Sequence, residues 1–377
     1  MKYFHSTLTT LLVLLFSAGA HCADNLVVVT LDGLRWQEVF AGYDEALLDN
    51  KDITEHPETL LEKFGGGTAE ERREKLMPLL WGTVQQQGAL LGNRNKKSTM
   101  DITNTWWFSY PGYNEILTGR ADPKINSNKP IPNRNTTFLE WLNGQPEFAG
   151  KVAAFGSWDV FPAIINRERS GVYINAGFES ANWTNLSERA RFLNELQAQT
   201  PSPWANVRLD AFTYGFAKEY LRKHKPRVLY IALGETDDFA HDKEYHQYLR
   251  AAHRSDRFLA DLWQTLQSMD SYRDNTNLII TVDHGCGRDA DSWPHHASEE
   301  AVKQYFNDLN QFREDGIAGA DEIWFAALGP DIRKIGEVSG GKALYQNQVA
   351  ATALTLLEKR PGDFDNNIGP AMEVILK

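Results

Sequence analysis

Three short stretches of this 377-residue sequence carry acids and imidazoles of the kind that hold divalent cations. Asp32 stands in Leu31-Asp32-Gly33-Leu34-Arg35, Asp237 and His241 in Gly234-Glu235-Thr236-Asp237-Asp238-Phe239-Ala240-His241, and Asp283 and His284 in Asp283-His284-Gly285. Aspartate and histidine are the ligands expected of a hydrolytic zinc site. Taken singly, each stretch has a plainer explanation. Asp-Gly is a turn signal, and an acid with a histidine four positions on shares one face of any helix. Their joint occurrence needs more. A fourth stretch, Asn104 to Arg120, offers a hydroxyl: Ser109 precedes Pro111-Gly112 and a short helical pattern that ends at Gly119. A serine there is ordinarily an N-cap. The same position favours an anion through the helix dipole, and metal coordination turns a weakly nucleophilic hydroxyl into an alkoxide.

These residues need elements to position them. Five apolar runs read as strands: Leu26–Val29, Val152–Phe155, Val228–Ile231, Leu278–Val282 and Ile323–Ala327. They are continuous rather than alternating, which suits strands buried on both faces of a parallel sheet. Helical periodicity runs between them, clearest from Lys243 to Leu266, with a second pattern carrying Phe212, Phe216, Tyr220 and Leu221. The expected fold class is therefore α/β, a mostly parallel central sheet with helices on both faces. The less regular segments 65–95 and 167–203 are expected to be insertions or a small cap. In open α/β sheets ligands bind beyond the carboxyl ends of the strands. Asp32, the Asp237/His241 pair and the Asp283-His284 pair each follow such an end.

Composition narrows the partners. The formal charge is −11, which argues against nucleic acid and anionic membranes and leaves a phosphate site in need of local positive charge. Lys2, the apolar run Leu11–Phe16 and Ala18-Gly19-Ala20 have the form of a secretory signal peptide. Residues 1–22 are expected to be removed and residues 23–377 to form one hydrolase domain in the periplasm or outside the cell. The apolar run is too short to span a bilayer, and no second one follows. Cys22 and Cys286 are the only cysteines; they build no disulfide framework, and Cys286 is read as a small buried apolar residue. The sequons at Asn135, Asn182 and Asn185 suggest exposed loops. His246 and His253, on the long helix, are read as solvent-facing. Trp106, Trp107 and Phe108 are read as core.

Together the motifs resemble the alkaline phosphatase superfamily, nearest its type I phosphodiesterase / nucleotide pyrophosphatase branch, over nearly the whole chain after the leader. Thr30 to Trp36 resembles the opening motif of that branch, and Ser109-Tyr110-Pro111 followed by Thr118-Gly119 resembles its nucleophile segment. The resemblance implies an alkaline-phosphatase-like fold and two divalent metal ions, zinc foremost, with manganese or iron also compatible. Asp237, His241 and His296 would hold one ion, His295 being the alternative to His296. Asp32, Asp283 and His284 would hold the other, with Ser109 reaching it as nucleophile. Asn126 or Asn128 would steady the phosphoryl oxygens, and Arg35 or Arg120 could assist. The implied activity is hydrolysis of small phosphate esters, monoesters or diesters, by an in-line displacement in two steps. A phosphomutase-like transferase and a sulfatase are the alternatives. The chain departs from the branch in having serine rather than threonine as nucleophile, Thr105 being too far from Pro111 to substitute. It also has Gly112-Tyr113 where the branch has Asn-His. Tyr113 occupies the place of the arginine that sulfatases need for conversion to formylglycine, which counts against a sulfatase of the usual kind.

Overall fold

The computed structural model describes residues 22–377; the expected leader, apart from Cys22, lies outside them. Among the described residues ten strands occur, in chain order β1 (Asn25–Leu31), β2 (Gly88–Leu91), β3 (Met100–Asp101), β4 (Val152–Gly156), β5 (Tyr173–Ala176), β6 (Val228–Leu233), β7 (Thr276–Thr281), β8 (Phe325–Leu328), β9 (Gly336–Glu337) and β10 (Leu344–Tyr345). Eight of them form one sheet in the order β5-β4-β6-β1-β7-β8-β2-β9, while β3 and β10 make a separate ribbon. Every residue of β1, β6 and β7 is buried, as continuous β-branched and aliphatic runs require when helices cover both faces. Each such side chain contributes about 1.5–3 kcal/mol on burial.

The sheet is mostly parallel, as expected: β8 alone runs antiparallel to its neighbours, β7 and β2. One feature differs from the sequence expectation. The segments expected as insertions instead complete the sheet. Residues 65–95 supply β2 and residues 167–203 supply the edge strand β5.

Three adjacent strands, β6, β1 and β7, share one direction and a close register, with Leu31 opposite Leu233 and Thr30 opposite Thr281. Their carboxyl ends therefore stop side by side. The amphipathic helix Tyr245–Ser268 packs through Leu249, Ala252, Leu259, Leu262 and Leu266. Its first turns hold Tyr245 and Tyr248 edge-on against the buried Trp293, at 5.1 and 5.4 Å, anchoring the loop that leads to His296. His246 on this helix does not face solvent, and His253 does so only in part. His246 is buried, and His253 sets Nδ1 2.8 Å from the Leu76 carbonyl and packs its ring on Phe64. Asn135 is buried too: its amide donates to Asn114 and Asp122, and Arg120 donates to its Oδ1. Asn182 and Asn185 are exposed, as the sequons suggested. Among the described residues, no helix is long and apolar enough to cross a membrane.

Candidate active site

Asp32 is the first residue beyond β1, and its backbone N–H still donates to Leu233 O on β6 at 2.9 Å. The chain then turns through Gly33 in the left-handed region, φ +61°, where a Cβ would stand 2.6 Å from Asp237 Oδ1. Only glycine allows that turn and that approach together. Beyond β6 the helix Glu235–His241 begins. Its amino end is fixed by Asp210, which accepts Gly234 N–H at 2.8 Å and Glu235 N–H at 3.2 Å. Burial and the adjacent Glu235 raise the Asp210 carboxyl to about 7. One helical turn brings Asp237 and His241 onto one face, Nε2 3.1 Å from Oδ2. Asp283 and His284 follow β7 and are fully buried.

The seven residues expected to form the site converge. Asp237, His241 and His296 make one group whose ligand atoms lie within 4.8 Å of one another; Asp32, Asp283 and His284 make a second. His296, not His295, joins the first. The groups abut: the His284 and His296 rings stack at 3.7 Å. Ser109 begins the helix Ser109–Thr118 and its Oγ lies 3.3 Å from His284 Nε2. Asn128 Oδ1 accepts the Tyr110 N–H at 2.9 Å, at the rim of the same cavity. Asn126 is half-buried and does not line that cavity. Neither expected arginine reaches it. Arg35 is buried and paired with Glu38, and Arg120 pairs with Asp365. Thr105 is exposed and uses its carbonyl to accept the Ser298 hydroxyl at 2.6 Å.

Whether cations suit this arrangement is decided by its protons. Each of the three imidazoles sets Nδ1 against a backbone carbonyl: His241 on Pro294 O at 2.8 Å, His284 on Gly285 O at 2.8 Å, His296 on Trp107 O at 3.2 Å. A carbonyl only accepts, so Nδ1 carries the proton, and a neutral ring turns the Nε2 lone pair inward. His241 Nε2 and His296 Nε2 then face each other at 3.1 Å beside Asp237. Asp32 Oδ1 and Asp283 Oδ2, buried and without a hydrogen-bond partner, both face His284 Nε2 at 3.3 Å. Such a concentration of lone pairs demands extra protons or cations. The ionisation equilibria show the same strain. Burial and the Asp32 charge push the Asp283 carboxyl well above its ordinary value. Burial opposes charge on Asp237, but His241 and His296 hold its carboxyl well below the usual range. Burial and His284 lower His296 to about 4. Mixed Asp/His groups, buried but for His241, fit divalent cations.

Comparison with known proteins agrees. Residues 52–362 match the family model described as type I phosphodiesterase / nucleotide pyrophosphatase. The chain belongs to that family. It is accordingly a phosphoric ester hydrolase of the alkaline phosphatase superfamily, whose members depend on metals. No curated protein sequence matches it. Among solved structures it is similar to wild-type alkaline phosphatase PafA, at 13% identity and TM-score 0.58, covering 95% of this chain and 99% of that one. It is also similar to the phosphonate monoester hydrolase SpPMH from Silicibacter pomeroyi, at 12% identity and TM-score 0.51, covering 92% and 75%. At those identities the likeness is one of fold.

Three features of this family member's site escape sequence reasoning. Tyr113 donates its hydroxyl to Asp32 Oδ2 at 2.8 Å from a fully buried position; its spacing of four from Ser109 was the available signal. The cavity over Ser109, about 390 Å³, is also lined by Trp158, Val207, Phe306 and Leu309, which are far apart in sequence. Asp238 lines it as well, its carboxyl raised to about 9 by burial and by Asp237. Cys286 is buried, as expected, and its thiol is pushed up to about 11, chiefly by burial. Trp106 and Phe108 are core, packed on Ala297, Ala301 and Val302.

Proposed function

We propose that this chain cleaves phosphodiesters through Ser109 and a pair of divalent cations. The observation that carries the reading is the convergence of three carboxylates and three Nε2 lone pairs on one volume, buried except at the exposed edge of His241, within reach of Ser109 Oγ. Asp237, His241 and His296 would hold one cation and Asp32, Asp283 and His284 the other, the ligand mixture favouring zinc over manganese or iron. When bound, such ions lower the pKa of the serine hydroxyl and neutralise charge on the phosphoryl oxygens.

The chain's own residues supply the rest. Ser109 Oγ attacks phosphorus while the bond to the leaving alcohol breaks, giving a seryl phosphodiester that keeps the second substituent, and the serine proton ends on the departing alcohol. Water then attacks that phosphorus, releasing a phosphate monoester and restoring the hydroxyl. Among the described residues the Ser109 N–H has no hydrogen-bond partner, and Asn128 keeps its Nδ2 donors free once Oδ1 accepts Tyr110 N–H. Both can hold phosphoryl oxygens at the start of the helix.

Diesters are favoured over monoesters by what lines the cavity. Among the described residues it presents no lysine or arginine, while Trp158, Val207, Phe306 and Leu309 offer apolar surface for a second substituent. Beyond the two cations, a dianionic monoester finds no further counter-charge there, whereas a monoanionic diester needs less. The expected setting is the periplasm or the cell exterior, on the form of residues 1–22.

Ser109→Ala should lower turnover of an aryl phosphodiester by about 10³-fold or more, as loss of a nucleophile does. A panel of aryl mono-, di- and sulfate esters should show the diester fastest by at least about tenfold, or 1.4 kcal/mol in transition-state binding. Full turnover by Ser109→Ala overturns the nucleophile assignment. A faster monoester or sulfate ester overturns the substrate class.

A further inference from the structure

Trp107 is a bulky residue in the left-handed backbone region, φ +54°, one residue before the cap of the helix that carries Ser109. A non-glycine outlier of this kind persists only where its surroundings enforce it, and such outliers gather at functional sites. Here the enforcing group is Asn104. Its Oδ1 accepts the backbone N–H of Trp106 at 3.0 Å and of Trp107 at 3.1 Å. Asn104 is itself held from behind by the buried Glu115. That carboxylate accepts Asn104 N–H at 2.8 Å, Asn104 Nδ2–H at 3.0 Å, and the Thr103 N–H and hydroxyl. What the unusual backbone achieves is visible at its other side. The Trp107 carbonyl accepts the Nδ1–H of His296 at 3.2 Å, and the next contact along, Ser298 N–H to Trp106 O at 3.1 Å, keeps the two segments in step.

We propose that Asn104 is a positioning residue for the Asp237/His241/His296 group. It holds Trp107 in the left-handed conformation, the Trp107 carbonyl holds the His296 proton on Nδ1, and the Nε2 lone pair is thereby kept facing Asp237 and His241. Asn104 touches neither substrate nor ligand atoms. The inference rests on the two-cation reading above, and its effect falls on one of the two cation sites. The other group, Asp32, Asp283 and His284, takes its orientation from Gly285 O, Tyr113 and Gly33, none of which belongs to this relay.

The test is zinc titration of the full-length metal-stripped chain, followed calorimetrically, for the wild type, Asn104→Ala, Asn104→Ser and Trp107→Gly with and without Asn104→Ala. The wild type should take two equivalents. Asn104→Ala should weaken one of them by about 10- to 100-fold, as loss of an outer support of a ligand does, and leave the other within about threefold. Serine can also cap amides two and three residues on, so Asn104→Ser should recover most of the affinity. Glycine takes positive φ freely, so in the Trp107→Gly background the added Asn104→Ala change should cost less than about threefold. Thermal melts recorded alongside separate this from general loosening. The inference is overturned if Asn104→Ala binds both equivalents like the wild type, or if it weakens both in proportion to a fall in melting temperature. It is likewise overturned if glycine at 107 brings no relief. A wild-type chain that takes up no zinc overturns the two-cation reading, and this inference with it.

Discussion

Tyr113 shows how much one hydroxyl can decide. Asp32 has two oxygens in a buried place; the Tyr113 hydroxyl bonds Oδ2 at 2.8 Å, leaving Oδ1 without a partner. A carboxylate tethered in this way presents one defined oxygen to a cation, and outer supports of this kind orient ligands and tune affinity. The tyrosine is a poor acid where it sits, its hydroxyl raised well above its ordinary value by burial and then by Asp283 and Asp32, so it serves as a donor. Tyr113→Phe should weaken zinc at the Asp32/Asp283/His284 group by about tenfold and cost about 1–3 kcal/mol of stability through the unpaired Oδ2. Zinc titration and a denaturant melt read the two effects. Unchanged affinity would show that Asp32 needs no tether. Tyr113 stood in the sequence as the residue replacing a sulfatase arginine. Its partnership with Asp32, 81 positions away, depends on how the helix is placed over β1; the spacing from Ser109 sets Tyr113 on the nucleophile's side of the helix but does not name its partner.

Strand ends, rather than single residues, made the site legible. β1, β6 and β7 announce themselves as unbroken apolar runs, and the acids and imidazoles follow each run within a few residues. Three neighbouring strands of one direction must then deliver them to one edge. The direction of β8 was not legible, because Phe325–Leu328 is buried throughout and reads the same in either sense. β2 and β5 have four residues each, too short to stand out from their irregular surroundings. His296 was legible only by its place after Trp293, since it belongs to a loop whose course is set by Trp293 packing under Tyr245 and Tyr248. The turn after β1 offers a test at this level. Gly33→Ala places a methyl 2.6 Å from Asp237 Oδ1 on backbone at φ +61°. The strain should cost about 1–3 kcal/mol, and displacement of Asp237 should lower kcat/KM by about 100-fold. Gly150→Ala is the control. Its φ is +70°, but nothing lies within 4 Å of its Cβ, so it should share the strain and spare the rate. Equal losses of activity in both would mean that the turn matters only for folding.

An acidic molecule with a buried nest of acids and imidazoles has to find compensating charge, and stability should report where it comes from. Without cations the compensation is protons. Burial disfavours charge on His241, yet Asp237 beside it outweighs burial and raises the ring to about 9. A base raised in this way contributes stability that is fully present below its ordinary value near 6.5 and is lost as the pH climbs through about 9. His284 acts in the same sense, raised well above its ordinary value because Asp283 outweighs burial. Between pH 7 and 9, therefore, the metal-stripped chain should lose stability as His241 gives up the proton that offsets Asp237. With zinc bound the dependence reverses in origin: the ligands are already deprotonated, and higher pH removes the proton that competes with the metal. Chelation should lower the melting temperature by several degrees at pH 7, since ligand at about 100 times its dissociation constant stabilises by about 2.7 kcal/mol. The gap between loaded and stripped protein should widen toward pH 9. Because one edge of the His241 ring meets solvent, with 44% of its side chain exposed, screening keeps its own share of that widening small. Melting curves of both forms at pH 7, 8 and 9 decide the matter. A gap that narrows with rising pH would mean that protons, not cations, are the native complement of these six side chains.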